Sequence, residues 1–318
     1  MKLIDMHCDT IGKILDLDHC GDFQENQCSI NISKLKNANS LAQFFACFTK
    51  ADMYEEKYEA CYAHLLEMIT FAEQQVTQNI KEIDFAYSWN DIIKCKNEDK
   101  IAAILTVEEG GILNGKIERL KILYEKKIRL MTLLWNYENC IGYPNSKDSE
   151  IMKKGLKPFG VEVVEEMGSL GMIVDVSHAS DGTFWDVLHY AKSPVVASHS
   201  NCRSLCAHPR NLSDEMIKAL AEKGGVSGLN LYGLFLNGKK ESTLESMTAH
   251  VLHMLNKGGS EFAAIGTDFD GFDGMEREDI KDITEMEKLW YALKEKGVSE
   301  EQLDKIWNGN VMRIMKEI

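Results

Sequence analysis

Residues 171–210 constrain this chain more than any other stretch. Two short β-branched runs, 173–176 and 195–197, each end just before a histidine, His178 and His199, and an amphipathic segment separates them. That pattern is a βαβ unit, whose strands lie side by side and point the same way. Both imidazoles therefore emerge on one rim of one sheet, a place suited to a metal ion.

The rest of the chain repeats the alternation. Apolar runs at 2–6, 41–48, 100–107, 128–133, 225–230 and 262–266 have strand length, and with the first two they make eight. Between them the spacing predicts helices over 29–37, 52–78, 88–97, 117–124, 159–167, 181–191, 242–257, 281–294 and 299–316, with Ser213 capping another. In the longest, Tyr54, Tyr58, Cys61, Leu65, Met68 and Phe71 recur every three or four residues, the stripe of a helix packed on a core. The run 100–107 is almost wholly apolar, as expected of a strand covered by helices. Neither an internal repeat nor a linker interrupts the series. Such a chain of 318 residues is expected to be α/β, a single (β/α)8 TIM-type barrel over residues 1–318.

Chemistry in this fold sits where the strands end. Strand one ends in His7 and Asp9, whose i, i+2 spacing puts both side chains on one face. Strand three ends in Glu108 and Glu109 before Gly110 and Gly111, strands five and six in His178 and His199, and strand eight in Asp268. Each alone has a plain alternative: a capping aspartate, a solvated glutamate pair, a hydrogen-bonded loop histidine. Five strands delivering such groups to one rim are hard to explain by packing. His7 with Asp9 suits one ion, His178 with His199 another, and a glutamate between them can bridge. Imidazole and carboxylate donors without cysteine suit Zn2+ or a similar divalent cation. Two such ions a few ångströms apart hold a hydroxide and polarise a carbonyl, so hydrolysis is the expected chemistry.

Composition removes other classes. A formal charge of −14 and a pI near 5.2 argue against the clustered basic surface that nucleic acid needs. Nine cysteines, an odd number without a C-x-x-C pair, read as free thiols of a reducing compartment. The first residues run straight into a strand rather than a leader, no apolar run approaches the ~18 residues of a membrane span, and no anchor tail closes the sequence. The expectation is a cytoplasmic protein with neither nucleic-acid nor membrane partners.

Asp5-x-His7-x-Asp9, Val107-Glu108-x-Gly110, Asp175-x-Ser177-His178, Ser198-His199-Ser200, Arg210-Asn211 and Gly266-x-Asp268-Phe-Asp-Gly271 follow one another in an order that resembles the membrane dipeptidase (renal dipeptidase) family of zinc peptidases, especially its soluble bacterial members. The resemblance covers nearly the whole chain. It implies two Zn2+ per chain and cleavage of dipeptides, including those with a C-terminal D-residue. By motif it places His7 and Asp9 on one zinc, His178 and His199 on the other, and Glu108 between them as bridge and catalytic carboxylate. It implies that Arg210 holds the substrate α-carboxylate, for which a bidentate guanidinium is well shaped. Asp268 would move protons near the nucleophile or leaving amine, and Tyr232 would touch substrate. Family habit adds a homodimer. Two positions depart from the pattern. Glu109 stands where the family often has glycine, which raises it as an alternative bridge one residue along, but the spacing onward to Tyr124 and Trp135 supports Glu108. Trp135 stands where eukaryotic members carry a substrate-contacting histidine, which places Trp135 at the substrate and leaves that histidine's contribution to other groups.

Two further readings fit such a barrel. One is another metal-dependent amidohydrolase, a deaminase or phosphotriesterase-like enzyme; those typically begin with His-x-His after strand one and often carry a bridging lysine after strand four, and this chain has neither. The other is a non-catalytic metal-binding descendant, against which the intact ligand set argues. His208 reads as a loop group, and His19, His64, His189, His250 and His253 as surface or helix-face residues. Cys202 and Cys206 read as small apolar fillers, Asp270 and Asp273 as contacts to solvent or loop N–H groups.

Overall fold

Eight parallel strands close into a barrel in the computed structural model, which describes residues 2–17, 20–51 and 57–318. They are β1 Leu3–Cys8, β2 Ser40–Phe48, β3 Ile101–Glu108, β4 Leu130–Thr132, β5 Ile173–Asp175, β6 Val195–Val196, β7 Ser227–Leu229 and β8 Ala263–Ile265. Neighbours pair in chain order, and β8 returns to β1 where Ile265 faces Asp5. The seam between β6 and β7 is the thinnest. It is held by the Ala197–Ser227 bridge, with Ala197 N donating to Val226 O and Gly228 N to Ala197 O, each at 2.9 Å.

Two apolar layers follow from the two faces of each strand. Ile4, Met6, Ala42, Phe44, Ala102, Ile104, Leu130, Ile173, Val196 and Ala264 form one buried cluster. Ile92, Cys95, Val311, Ile314 and Met315 close it at the strands' N-terminal ends. The alternate residues, among them Leu105, Val107, Met131, Val174, Val195 and Ile265, pack on the surrounding helices. Toward the C-terminal ends the filling turns polar, with Thr106, Thr132, Asp175, Ser198 and Thr267 all buried. The barrel is narrow there, because a Cβ on either Gly228 or Gly266 would overlap the carbonyl oxygen of Ser198.

Local expectations hold where a cap or stripe is strong. Ser88, Ser180 and Ser213 each accept a hydrogen bond from a first-turn N–H of the helices Trp89–Asn97, Asp181–Tyr190 and Asp214–Glu222. Helix Lys57–Gln78 buries Cys61, Leu65 and Met68; Tyr54 and the start expected at residue 52 lie outside the described residues, as does His19. Elsewhere tertiary contacts redraw the elements. A three-residue strand, Ile83–Phe85, adds to β3 outside the barrel order. Glu241–Ser242 pairs with Arg277–Glu278, so the helix expected from residue 242 begins at Leu244. The helix expected over 281–294 divides into a 3-10 turn, Ile283–Glu285, and Glu287–Glu295. The one expected over 299–316 widens at Lys305–Gly309, where Asn308 and Asn310 donate to the Lys2 and Ala263 carbonyls at 2.8 Å each. None of the nine cysteines forms a disulfide. Among the described residues no helix is long and apolar enough to cross a membrane.

Candidate active site

The C-terminal rim brings together the groups that the strand ends carry. From β1, His7 Nε2 lies 3.3 Å from Asp9 Oδ2 and 3.2 Å from Glu108 Oε2. The other Glu108 oxygen, Oε1, is 3.0 Å from His178 Nε2 and 3.8 Å from His199 Nε2. Asp268 Oδ1 stands 3.8 Å from His7 Nε2. Glu108 thus turns one oxygen to His7 and the other to the His178–His199 pair. Asp9 occupies the cap position of helix Thr10–Asp16, yet its side chain caps nothing, which removes the plain reading of that residue. Glu109, His178 and Asp268 all hold positive φ, at 80°, 67° and 62°. Backbone strain at three strand ends is what a functional rim concentrates.

Hydrogen bonds decide which imidazole nitrogens are free. The Oδ1 of Asn136 can only accept, so His178 Nδ1, 3.0 Å away, carries the proton and leaves a lone pair on Nε2. Ser198 Oγ gives its hydrogen to Asp175 Oδ2 at 2.5 Å, so it accepts from His199 Nδ1 at 2.7 Å, and His199 Nε2 also keeps a lone pair. The two Nε2 atoms face each other at 3.2 Å. Two lone pairs at that separation repel unless a cation lies between or beside them. His7 has no well-aligned hydrogen bond at either ring nitrogen, and Asp9 Oδ1 is equally orphaned. Two donor groups, His7 with Glu108 and His199, and His7 with Asp9 and Asp268, each have their ligand atoms within 4.8 Å of one another. This set fits divalent cations with imidazole and carboxylate ligands.

The electrostatics agree. Burial works against a charge on His7, but Asp9 and Glu108 outweigh it and push the imidazole well above its ordinary value. Burial also opposes the Glu108 carboxylate, which the charge on His7 nevertheless holds below the usual range. Burial, then the Arg210 charge, brings His178 down to about 4; burial, then His7 and Arg210, holds His199 well below its ordinary value. Both are therefore neutral near pH 7, the form in which imidazole binds a metal. Burial raises Asp9 to about 6 and Asp268 to about 7.

Above these groups opens a cavity of about 500 Å3, lined by Asp9, Glu108, His178 and Asp268 and walled by Phe48 and Trp135 on one side and Tyr232, Phe235 and Phe272 on the other. Its size suits a small molecule. Trp135 and Tyr232 thus reach the cavity, whereas Arg210 is not among its lining residues; its guanidinium lies 5.7 Å from the ring of Phe235, which is. Arg210 is 4% exposed, donates from Nη1 to Ser200 Oγ (2.6 Å) and from Nη2 to the His199 carbonyl (3.0 Å), and leaves Nε without a partner. Burial lowers it to about 10. Glu109 turns away from the rim: Oε1 accepts from Gly111 N and Asn139 Nδ2 and Oε2 from Trp135 N, at 2.7 to 3.0 Å. The next-door glutamate ties the Trp135 loop to β3 rather than sharing the cluster.

Sequence reasoning missed the groups beneath the rim. Asp5 accepts from Thr267 N, Thr267 Oγ1 and Gln43 Nε2, each at 2.8 Å, and joins β1 to β2 and β8. Asp175 plays the same part at β5, Asn136 holds His178, and Asn230 Nδ2 donates to Asp268 Oδ2 at 2.8 Å. A signal was present: Asp5 and Asp175 each precede a strand-end histidine by two or three residues. His250, read as a helix-face residue, is instead buried, with Nδ1 accepting from Cys202 N and Nε2 donating to the Leu236 carbonyl. His208 stays a loop group, its Nδ1 accepting from Arg210 N. Asp270 accepts from Ser29 N and Thr10 Oγ1.

Residues 1–318 match the family model of the membrane dipeptidases, peptidase family M19. A Klebsiella pneumoniae protein encoded in the pqqA 5' region is 30% identical over 80% of this chain and 96% of its own, and the dipeptidase tcpJ of Claviceps purpurea is 27% identical over 91% and 69%. A metallopeptidase of Rhodobacter sphaeroides, solved with a phosphinate mimic of the dipeptide L-Ala-D-Ala, superposes with a TM-score of 0.90 at 19% identity, covering 100% of this chain and 99% of its own. The rim that sequence and geometry converge on therefore sits in a barrel of known lineage, and the chain belongs to the membrane dipeptidase family of metallopeptidases.

Proposed function

We propose that residues 1–318 work as one barrel domain and hydrolyse dipeptides, including those ending in a D-residue, with two zinc ions per chain. The observation that carries this reading is the pair of Nε2 lone pairs of His178 and His199, 3.2 Å apart, with Glu108 reaching from them to His7. His7 and Asp9 would hold one ion, His178 and His199 the other, and Glu108 both. When bound, such a pair supplies a nucleophile at neutral pH and a Lewis acid for the scissile carbonyl. The protein's own groups do the rest. Asp268, partly buried and with its carboxyl pushed up to about 7 by desolvation, gives and takes the proton near the leaving amine. Asn230 fixes its other oxygen. The unpartnered Nε of Arg210 and its remaining Nη hydrogens hold the substrate α-carboxylate. Trp135 and Tyr232, on opposite walls, seat the two side chains and keep water out. The phosphinate-bound Rhodobacter relative supports the extension to D-residues.

The direct test is turnover of L-Xaa-L-Xaa and L-Xaa-D-Xaa dipeptides beside matching tripeptides by zinc-loaded protein. Chelator-sensitive cleavage of dipeptides alone is expected; folded protein holding two metals yet inert on all of them would turn the reading to another amidohydrolase substrate. Arg210→Met should raise KM for dipeptides by about 100-fold, with a smaller change for C-terminal amides. Equal damage to both would reject the carboxylate role. A Cβ on Gly271 would overlap Asp9 Oδ2 and Asp268 Oδ1. Gly271→Ala is accordingly expected to weaken zinc binding by about 10-fold or more, read by competition with a chromophoric chelator, while the metal-free protein melts nearly as before.

A further inference from the structure

We infer that Asp175 and Ser198 form a relay that sets the tautomer of His199 and so holds its Nε2 open to a cation; the inference rests on the metal reading above. All the polar contacts of Asp175 are donors. Oδ1 accepts from the backbone N–H groups of Ser177 and Ser198, both at 2.9 Å. Oδ2 accepts from Thr132 Oγ1 at 2.6 Å and Ser198 Oγ at 2.5 Å. The single hydroxyl hydrogen of Ser198 is committed to Asp175. Toward its other neighbours, Ser177 Oγ at 3.3 Å and His199 Nδ1 at 2.7 Å, Ser198 Oγ can only accept. Asp175, Ser198 and His199 are all at most 1% exposed, so water does not substitute for any of these partners.

Asp175 thereby acts on His199 from β5 through a residue at the end of β6, without touching the imidazole. Metal-ligating histidines commonly donate their second N–H directly to a carboxylate or carbonyl. Here a serine is interposed, and its hydroxyl transmits the carboxylate's direction. Asp175 and Ser198 are positioning residues. The arrangement costs the metal-free protein stability, because it forces the two Nε2 lone pairs against each other.

The isosteric exchange Asp175→Asn reverses the relay. The two backbone N–H groups at Oδ1 fix the amide oxygen there, which turns the amide nitrogen toward Thr132 and Ser198. Ser198 then accepts from the new NH2 group and is free to donate to His199 Nδ1, and the imidazole proton moves to Nε2, where the His178 lone pair accepts it.

The experiment is two-bond 15N–1H spectroscopy of the imidazoles in metal-free protein, beside zinc affinity by chelator competition. In the unsubstituted protein His199 is expected as the Nδ1–H tautomer. In Asp175→Asn it should be the Nε2–H tautomer, with zinc affinity 10- to 100-fold lower and a metal-free melting temperature no lower. Ser198→Ala should weaken zinc similarly, and Ser198→Thr should restore it. An unchanged tautomer in Asp175→Asn, or unchanged zinc affinity despite the switch, would overturn the relay. Zinc-free behaviour of the unsubstituted protein with the switch intact would overturn the metal reading and leave the relay standing.

Discussion

Exchange of Glu108 for glutamine is expected to lower kcat for dipeptides by about ten-thousand-fold, roughly 5 kcal/mol of transition-state stabilisation. The two carboxylate oxygens point to different imidazole groups, Oε2 toward His7 and Oε1 toward His178. An amide keeps the volume but replaces one oxygen with an NH2 that repels a cation, so one of the two proposed ions loses its shared ligand. Zinc content by elemental analysis should fall below two per chain, and the fold, read by circular dichroism, should persist. A variant that kept both ions and a near-normal rate would remove Glu108 from the centre of the mechanism.

Glu109 is expected to govern a different quantity, the slope of stability against pH. It is fully buried, and burial raises it to about 7 against the pull of Asn139, Gly111 and Trp135. Its folded value lies above its unfolded one, so the stabilisation is whole below about pH 4.5 and is lost as pH rises through about 7. Between pH 5 and pH 8 the protein should lose up to about 3 kcal/mol through this group, and Glu109→Gln should lack that part of the slope. Urea unfolding of the metal-free forms at both pH values measures it. The glutamine variant starts from lower stability, because its NH2 meets the Trp135 N–H, so the comparison is of slopes. Equal slopes would mean that the three donors outweigh burial.

Much of this was legible before any coordinates. The eight strands lie where the apolar runs lie, because a strand buried on both faces must be continuously apolar over its whole length. His7, Asp9, Glu108, His178, His199 and Asp268 were legible for a related reason: each stands directly after such a run, and a polar residue at that step has only the rim to occupy. What periodicity could not report were contacts made by non-periodic residues. Asn308 and Asn310 dock on the carbonyls of Lys2 and Ala263 where the C-terminal helix widens, and the pairing of Glu241–Ser242 with Arg277–Glu278 shortens another.

By itself the sequence determined the barrel, the rim and the chemical type of its donors, since these depend on local order: which residue follows which strand. Only the tertiary structure decided how those donors are used. It turned Glu108 into the cluster and Glu109 out of it, although the two are adjacent and chemically identical, because Gly111, Trp135 and Asn139 capture the second carboxylate. It buried Arg210 against Ser200 and the His199 carbonyl. It also fixed the tautomers of His178 and His199 through Asn136 and Asp175, residues from other strand ends, the latter by way of Ser198. A hydrogen bond between distant residues depends on where the barrel brings them, and no spacing along the chain encodes that distance.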